Sequence, residues 1–303
     1  MKKDFLSFEG VTSDDFNELI DRTFEIKKNP ENWRTSLEGK TLGLIFQKSS
    51  TRTRISFEVG MYQLGGISLY FRGTELQLGR GETVADTARV ISRYLDGVMI
   101  RTFAQSEVEE LASHAAIPVI NGLTDLLHPC QILADLFTIK EALGRIEGVK
   151  VAYVGDGNNV LNSWLEASLL LPFELSVAVP IGYEPEETML QNAIQGGAGR
   201  VNMKNSPGEA VQGADVIYTD VWVSMGQEEE RAKKLEALRG YQINAQLCGQ
   251  ASPEHIVMHC LPAHRGEEIT DEIMDGPHSV VFTQAENRLH AQKALLVKLL
   301  GRR

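Results

Sequence analysis

The chain has 303 residues, 43% of them hydrophobic, and this is enough to build the cores of about two domains. The net charge of −11 argues against nucleic acid as a partner, because duplex binding needs a broad basic face. No run approaches the ~20 apolar residues of a membrane span, and the charged start at Met1 has no apolar stretch behind it that would form a signal peptide. The three cysteines have no paired spacing, and we therefore expect a reducing, cytoplasmic location.

Short apolar segments alternate with segments of helical period along the chain. The predicted strands are 42–46, 67–71, 98–101, 119–120, 149–154, 175–179, 216–219, 256–261 and 280–284. The predicted helices between them include 84–95, 107–114, 129–143 and 160–171. This alternation predicts an α/β fold with parallel sheets that are flanked by helices.

The domain boundary is expected where a predicted helix ends at Gly144 and a new strand begins at Val149. The first domain would span 1–145 and the second 146–285, each built on its own parallel sheet. The helical segment that follows has a pattern that could close either domain.

The sequence Gln-Lys-Ser-Ser-Thr-Arg-Thr-Arg at 47–54 stands at the junction between a predicted strand and a helix. A helix start offers unpaired backbone N–H groups and the positive end of the helix dipole. Hydroxyl groups, two arginines and a lysine at this point predict a site for a compact dianion such as phosphate. Taken alone, the same residues also fit an N-cap followed by solvated arginines.

Two further predicted strands lead into residues that suit the same chemistry. The third strand ends at Arg101, which adds another guanidinium group. The fourth is followed by His128, Pro129 and Gln131, and Pro129 suits the first turn of a helix. A neutral imidazole and an amide could hold a carbonyl oxygen on which negative charge develops. The alternative is a capping histidine and a surface glutamine.

The second half of the chain begins with Gly-Asp-Gly-Asn-Asn-Val at 155–160, after a predicted strand. This is a weak match to a dinucleotide fingerprint, because Val160 replaces the third glycine and no acid closes the next strand. The glycines more simply allow a tight turn that presents Asn158 or Asn159 to a ligand. Further on, Asp220 precedes Ser-Met-Gly at 224–226, which suggests a segment that closes on a ligand.

The predicted strand 256–261 ends in residues that invite a zinc interpretation, namely His259, Cys260 and, shortly after, His264. Neighbouring residues of a strand point to opposite faces, and no second cysteine pair has ligand spacing. We therefore expect no metal site here.

Taken in order, these motifs resemble those of the aspartate/ornithine carbamoyltransferase family, and the resemblance covers nearly the whole chain. The segments that carry it are Ser-Thr-Arg-Thr-Arg at 50–54, His-Pro-Cys-Gln at 128–131, Asp-Val-Trp-Val-Ser-Met-Gly at 220–226 and His-Cys-Leu-Pro at 259–262. The last two point to the ornithine branch.

The resemblance implies transfer of the carbamoyl group of carbamoyl phosphate to the δ-amine of L-ornithine, which gives citrulline and phosphate in arginine metabolism. It implies a carbamoyl phosphate domain at 1–145, completed by the helix 286–303, and an ornithine domain at 146–285. It also implies hinge closure, a homotrimer that could assemble further, and no cofactor.

The family's functional residues carry over position by position. The expected carbamoyl phosphate contacts are Ser50, Thr51, Arg52, Thr53, Gln77, Arg101, His128, Gln131, Cys260, Leu261 and Arg288. Gln77 would serve the site of the neighbouring subunit. The expected ornithine contacts are Asn159, Asp220, Ser224 and Met225, with Asn158 as an alternative to Asn159. The expected catalytic residues are Arg52, Arg101, His128, Asp220 and Cys260.

Two other functions stay open at this point. A sister enzyme could act on aspartate, putrescine or an N-acylated ornithine, although Asp220, Asn159 and Ser224 do not suit the two carboxylates of aspartate. The chain could instead be a catalytically silent phosphate-binding regulator, but every position of the phosphate clamp is filled. The site residues do not distinguish arginine biosynthesis from arginine breakdown.

Overall fold

The computed structural model describes residues 3–73, 81–223 and 231–301. The chain divides into two compact units, unit 1 (Met1–Phe137 with Glu286–Arg303) and unit 2 (Thr138–Ala285). Both junctions fall inside helices. The assignment of 1–145 with 286–303 and of 146–285 to the two substrates stays a prediction. None of the helices in the described ranges has the apolar length that crossing a membrane requires.

The strands alternate with helices along the chain, as the sequence predicts. The strands are β1 Thr41–Phe46, β2 Ile67–Arg72, β3 Gly97–Arg101, β4 Val119–Leu123, β5 Lys150–Val154, β6 Glu174–Ala178, β7 Arg200–Met203, β8 Val216–Thr219 and β9 Ile256–His259. The helices are α1 Ser13–Lys28, α2 Thr51–Gln63, α3 Val84–Ile91, α4 Gln105–His114, α5 Pro129–Leu143, α6 Asn159–Leu170, α7 Glu187–Gln195, α8 Pro207–Val211, α9 Arg231–Leu238, α10 Ala245–Cys248, α11 Asp271–Met274 and α12 Val281–Leu300. Two short 3₁₀ turns lie at Pro30–Trp33 and Arg239–Tyr241.

Unit 1 is built on a four-stranded parallel sheet with the order β2-β1-β3-β4. Its core joins sheet residues such as Ile45 and Val98 to Ala88 of α3 and Leu111 of α4 in one buried cluster. Because the strands are parallel, the loops after β1, β3 and β4 all leave from the same edge of the sheet.

Helix α12 packs against α2 within unit 1. A Cβ atom added at Gly60 of α2 would lie 3.3 Å from Cγ of Lys293, so the two backbones approach closely. The Lys293 ammonium donates to Oε1 of Gln63 at 2.9 Å. The expected return of the C-terminal helix to the first domain is confirmed, and so is the predicted α/β class with two parallel sheets.

Unit 2 is built on a five-stranded parallel sheet with the order β7-β6-β5-β8-β9. Strand β5 occupies the middle, and the carboxyl ends of β5, β8 and β9 lie side by side at one edge. The buried cluster of this unit includes Val154 of β5, Ile217 of β8 and Val257 of β9.

One predicted strand is wrong. Residues 280–284 lead into α12 and are not extended, and Val281 and Gln284 are both fully buried while Phe282 is exposed. Burial three residues apart is the helical period, but a five-residue apolar run cannot be assigned to strand or helix by period alone. The sequence also failed to predict β7, an edge strand in which only Val201 is buried.

Candidate active site

The start of α2 is a helix terminus that is capped by a serine hydroxyl. Ser50 is the N-cap, and its hydroxyl accepts the backbone N–H of Thr53 at 3.3 Å and donates to Oγ1 of Thr53 at 3.1 Å. The N–H of Arg54 donates to the carbonyl of Ser50. In the part of the chain that the structure describes, nothing accepts from the N–H groups of Thr51 and Arg52. Such amides at the positive end of a helix dipole suit an anion.

The three cations of the 47–54 segment have different surroundings. Lys48 pairs with Asp125. Arg54 donates to Glu58 at 2.9 Å and lies 3.7 Å over the ring of Tyr70. Arg52 is half-buried, and no carboxylate within 3–73, 81–223 or 231–301 pairs with it. Arg52 is therefore the cation of this segment that remains available for a ligand.

The sheet brings Arg101 next to this segment. Phe46 at the end of β1 is in register with Arg101 at the end of β3, and the N–H of Gln47 donates to the Arg101 carbonyl at 2.9 Å. The Arg101 side chain is buried, with 8% of the residue exposed. Because β1 and β3 are adjacent, the sheet itself sets the spacing between Arg101 and the start of α2.

Three guanidinium groups from three different elements act on His128. His128 precedes α5 and is buried. Burial lowers the pKa of His128 well below its usual value, and the charges of Arg288, Arg101 and Arg52 lower it further, in that order. The imidazole is therefore neutral near neutral pH, so it can donate an N–H to an oxygen on which charge develops.

Gln131 is held in one orientation by a buried chain of hydrogen bonds. Arg288 donates to Oε1 of Gln131 and, at 3.3 Å, to Oγ1 of Thr53. The Gln131 amide donates to Oδ1 of Asp135 at 2.8 Å. Sequence reasoning missed Asp135, although it follows Gln131 by four residues in the same helix and such pairs face one another.

The turn after β5 requires both of its glycines. Gly155 has φ +146°, and a Cβ added at Gly157 would lie 2.4 Å from the backbone of residues 183–185. The expectation of a tight turn is therefore confirmed. Asn158 caps α6, and its Oδ1 accepts the N–H of Val160 at 2.9 Å.

Asp220 is the centre of the polar groups in unit 2. Its Oδ1 accepts two hydrogen bonds, one from the Sγ–H of Cys260 at 2.7 Å and one from the backbone N–H of Val221 at 2.8 Å. Its Oδ2 accepts the side-chain amide of Asn158 at 2.7 Å. Asn158 thus serves both as the helix cap and as a partner of Asp220, and Asn159 is the first residue of α6. The choice of Asn159 over Asn158 as the ligand contact stays a prediction.

The expectation that His259 and Cys260 point to opposite faces is wrong. Strand β9 ends at His259, and Leu261 has φ +58°, so the alternation of a strand no longer applies after His259. The ligand atoms of Asp220, His259 and Cys260 lie within 4.8 Å of one another. Both imidazole nitrogens are engaged, because Nδ1 accepts the N–H of Leu261 at 2.8 Å and Nε2 lies 3.0 Å from Oε1 of Glu268.

The described candidate residues therefore form two groups, one in each unit. Unit 1 contributes Ser50, Thr51, Arg52, Thr53, Arg101, His128, Gln131 and Arg288. Unit 2 contributes Asn159, Asp220, Cys260 and Leu261. Gln77, Ser224 and Met225 lie outside the described residues.

Models of two protein domains match this chain. Residues 3–141 match the aspartate/ornithine carbamoyltransferase carbamoyl-P binding domain, and residues 147–299 match the aspartate/ornithine carbamoyltransferase Asp/Orn binding domain.

Individual relatives match over the whole length. The ornithine carbamoyltransferase of Syntrophus aciditrophicus is 56% identical, with 99% of this chain and 100% of that protein covered. That of Methanoculleus marisnigri is 54% identical over 99% of this chain and 98% of the relative. Among solved structures, ornithine carbamoyltransferase from Pyrococcus furiosus has a TM-score of 0.93 at 51% identity, with 98% of this chain and 96% of that chain covered. The enzyme from Thermus thermophilus has a TM-score of 0.90 at 43% identity, with 99% of both chains covered.

Proposed function

Because the chain belongs to the aspartate/ornithine carbamoyltransferase family, we propose that it transfers the carbamoyl group of carbamoyl phosphate to the δ-amine of L-ornithine. The products are citrulline and phosphate, in arginine metabolism. The observation that carries this proposal is the cluster of unit 1 in which the sheet places Arg101 beside the start of α2 and Arg288 bonds to Thr53 and Gln131, with the buried His128 under the influence of these cations. Three cations around one neutral imidazole fit a substrate with a dianionic phosphate and an adjacent carbonyl oxygen.

Carbamoyl phosphate is held by unit 1 through its phosphate and its carbonyl group. The start of α2, with Ser50, Thr51 and Thr53, supplies amides and hydroxyls to the phosphate, and Arg52 and Arg101 supply positive charge. His128 and Gln131 hold the carbamoyl group, with Gln131 oriented by Arg288 and Asp135. Arg288 also contacts carbamoyl phosphate, as do Gln77 of a neighbouring subunit and the Cys260–Leu261 segment.

Ornithine is held by unit 2 through its α-ammonium and α-carboxylate groups. Asp220 is buried and lies at the end of β8, where its carboxylate suits an ammonium group. Asn159 contributes from the start of α6. Ser224 and Met225, which follow Asp220 along the chain, complete the contacts that we assign to ornithine.

The chemistry needs no covalent intermediate, because phosphate is already a good leaving group. The δ-amine attacks the carbonyl carbon, a tetrahedral oxyanion forms, and phosphate departs. Arg52, Arg101 and the helix start stabilise charge on the leaving phosphate, while His128 and Thr53 face the oxyanion, a type of contact worth roughly 10²–10³ in rate for each donor. Orientation of two bound reactants contributes at least as much. Asp220 and Cys260, which share a hydrogen bond, relay the proton from the amine.

A homotrimer is part of the same proposal, and an exposed apolar surface supports it. Strand β2 is at the edge of its sheet, yet Ile67 and Leu69 are exposed on it, and Tyr62 of the neighbouring α2 is 80% exposed. Parallel sheets rarely leave apolar side chains in water, so a second copy of this chain is a suitable cover. We also place the protein in the cytoplasm, which suits its free cysteines.

The test of this function is a colorimetric assay for the ureido group that carbamoyl transfer creates, with carbamoyl phosphate and, in parallel, ornithine, aspartate, putrescine or N-acetylornithine as the acceptor. We expect citrulline from ornithine and at least a hundredfold lower kcat/KM for the other three, since an unmatched buried polar group discriminates by about that factor or more. Preference for another acceptor would assign the chain to a sister activity. Tight phosphate binding without turnover of any acceptor would favour a regulator.

A further inference from the structure

We propose that Glu268 is a positioning residue, which acts through the buried imidazole of His259 to hold the Cys260–Leu261 turn of the candidate site. The inference rests on the proposed role of Cys260 and Leu261 in carbamoyl transfer. It concerns two residues, His259 and Glu268, to which the proposed function assigns no contact with either substrate.

The hydrogen bonds fix the tautomer of His259. Nδ1 accepts the backbone N–H of Leu261 at 2.8 Å, and therefore it carries no proton. The proton of the neutral ring is then on Nε2, which donates to Oε1 of Glu268 at 3.0 Å. Both side chains have no exposed surface, so no water competes for either bond.

The turn that this imidazole contacts contains a residue in an unfavourable backbone conformation. Leu261 has φ +58°, and among the described non-glycine residues it alone has a positive φ. A left-handed conformation brings Cβ close to the following carbonyl, and it persists only where the surroundings compensate. The Leu261 side chain packs against the buried cluster of unit 2, and its N–H is held by His259.

Glu268 is itself fixed, so it can serve as an anchor. Its Oε1 accepts not only from His259 but also from the backbone N–H of His264 at 2.5 Å. The backbone N–H of His259 donates to Oε1 of Gln284 at 2.9 Å. The main chain of His259 is thus held by Gln284, and Glu268 sets the rotation of the ring that reaches Leu261.

The consequence for the reaction follows from the position of Cys260 between these groups. Its Sγ donates to Asp220 at 2.7 Å, and the next residue is the one that His259 holds. Loss of the Glu268 acceptor would free the imidazole to turn, and Leu261 and Cys260 would move with it. Small displacements of groups that orient a reactant cost up to about 10²-fold in rate.

The experiment compares Glu268→Met, which removes the acceptor at similar volume, with Glu268→Gln, which keeps an oxygen at the position of Oε1. His259 Nε2 and the backbone N–H of His264 both donate to Oε1, so the side-chain oxygen of glutamine can accept both hydrogen bonds. We expect kcat to fall roughly 10–100-fold in Glu268→Met and to stay near normal in Glu268→Gln. Equal kcat in wild type and Glu268→Met would overturn the proposal.

A second readout needs no turnover, so it separates this proposal from the proposed function. Cys130 and Cys248 are buried, and burial raises their thiol pKa values to about 12 and about 11, so alkylation by iodoacetamide reports on the partly exposed Cys260. We expect its alkylation rate to change at least about threefold in Glu268→Met and to return to normal in Glu268→Gln. An unchanged rate in Glu268→Met contradicts a moved turn, whatever the substrate of the enzyme is.

Where Glu268→Met fails to fold, two variants at His259 test whether the imidazole supports the Cys260–Leu261 turn. Asparagine places Oδ1 near the position of Nδ1, so His259→Asn keeps the acceptor for Leu261, whereas His259→Gln reaches only toward Glu268. We expect His259→Asn to retain at least about tenfold more kcat than His259→Gln. Equal activity of the two, or the reverse order, excludes the imidazole as a support of the turn.

Discussion

Among single residues, the availability of a cation depends on its neighbours and not on its position in a motif. Lys48, Arg52 and Arg54 belong to one short segment, but Lys48 has Asp125 and Arg54 has Glu58 and Tyr70 as partners. Among these three, Arg52 has no carboxylate partner in the described part of the chain, and it is therefore the one that can neutralise a substrate phosphate.

Arg52 and Arg54 therefore form a matched pair for mutation. We expect Arg52→Gln to lower kcat by roughly 10²–10³, because a charge-assisted donor to the leaving phosphate is lost. Arg54→Gln should change kcat by less than about fivefold, because its partners are protein groups and the loss is that of an exposed ion pair. Steady-state assays with both substrates, together with circular dichroism, check the result. Equal losses would remove the distinction between the two arginines.

The buried His128 predicts how stability depends on pH. Its folded-state pKa lies well below the usual 6.5, so protons favour the unfolded chain. The stabilisation is complete above pH 6.5 and is lost as the pH falls from there toward the lowered pKa, with a slope of at most about 1.4 kcal/mol per pH unit. Urea unfolding at several pH values should show a smaller acid loss in His128→Asn than in wild type. His255 and His290, whose pKa values burial also lowers, contribute to the slope that both proteins share.

At the scale of elements, the candidate functional residues lie where parallel strands end. Arg101 ends β3, Asp220 follows β8 and Cys260 follows β9. These positions could be read from the sequence, because each apolar run stops at a polar residue and the strands of such sheets share their carboxyl edge.

The partners that orient these residues could not be predicted in the same way. Asn158, as cap and as neighbour of Asp220, and Glu268, as neighbour of His259, depend on which side chains meet after folding. The positive φ of Leu261 could not be predicted from the local sequence either, because leucine rarely adopts this conformation. The composition of the run 280–284 fits a buried strand and a buried helix equally, so the sequence does not distinguish them there.

A buried ion pair joins helix α9 to the turn after β5, and its loss should lower the free energy of unfolding. Nζ of Lys234 lies 2.7 Å from Oδ2 of Asp156, and both side chains are almost completely buried. Burial raises the pKa of Asp156, and the bond to Lys234 offsets this only in part. We expect Lys234→Met alone to destabilise the protein by about 3–5 kcal/mol, because it leaves an unpaired buried carboxylate.

The double variant Lys234→Met with Asp156→Asn is the control for this ion pair. It should be less destabilised than Lys234→Met alone, since no buried charge remains unpaired. Denaturant unfolding of the wild type, Lys234→Met, Asp156→Asn and the double variant measures the difference. A double variant as unstable as the sum of the single variants would show that the two groups do not interact.

At the scale of the whole molecule, the exposed apolar surface on α2 and β2 predicts the state of assembly. Tyr62→Asp with Ile67→Lys should yield monomers in light scattering, because charges in an apolar interface oppose association. Ile181→Ser is the matched control, since Ile181 is 95% exposed outside that surface. A trimer that persists in the double variant would place the subunit contacts elsewhere.

The acceptor amine predicts the pH profile of the reaction. A primary alkyl amine has a pKa of about 10.4, so near neutral pH only about one ornithine molecule in a thousand carries the reactive neutral amine. We expect kcat/KM for ornithine to rise roughly tenfold per pH unit through the mildly acidic range and to level off only in alkali. A profile that is flat around neutral pH would mean that this deprotonation does not limit the reaction.

The discontinuity of unit 1 sets an order of events during translation. Residues 286–303 belong to unit 1, but they leave the ribosome after all of unit 2 has been made. Arg288, which bonds to Thr53 and Gln131, arrives with them. Unit 2 can therefore fold on the nascent chain while the candidate phosphate site of unit 1 still lacks Arg288. We expect a chain released early at Ala285 to carry Arg52, Arg101, His128, Asp220 and Cys260 but to consume carbamoyl phosphate far more slowly than the full chain, because Gln131 and Thr53 lack the Arg288 partner.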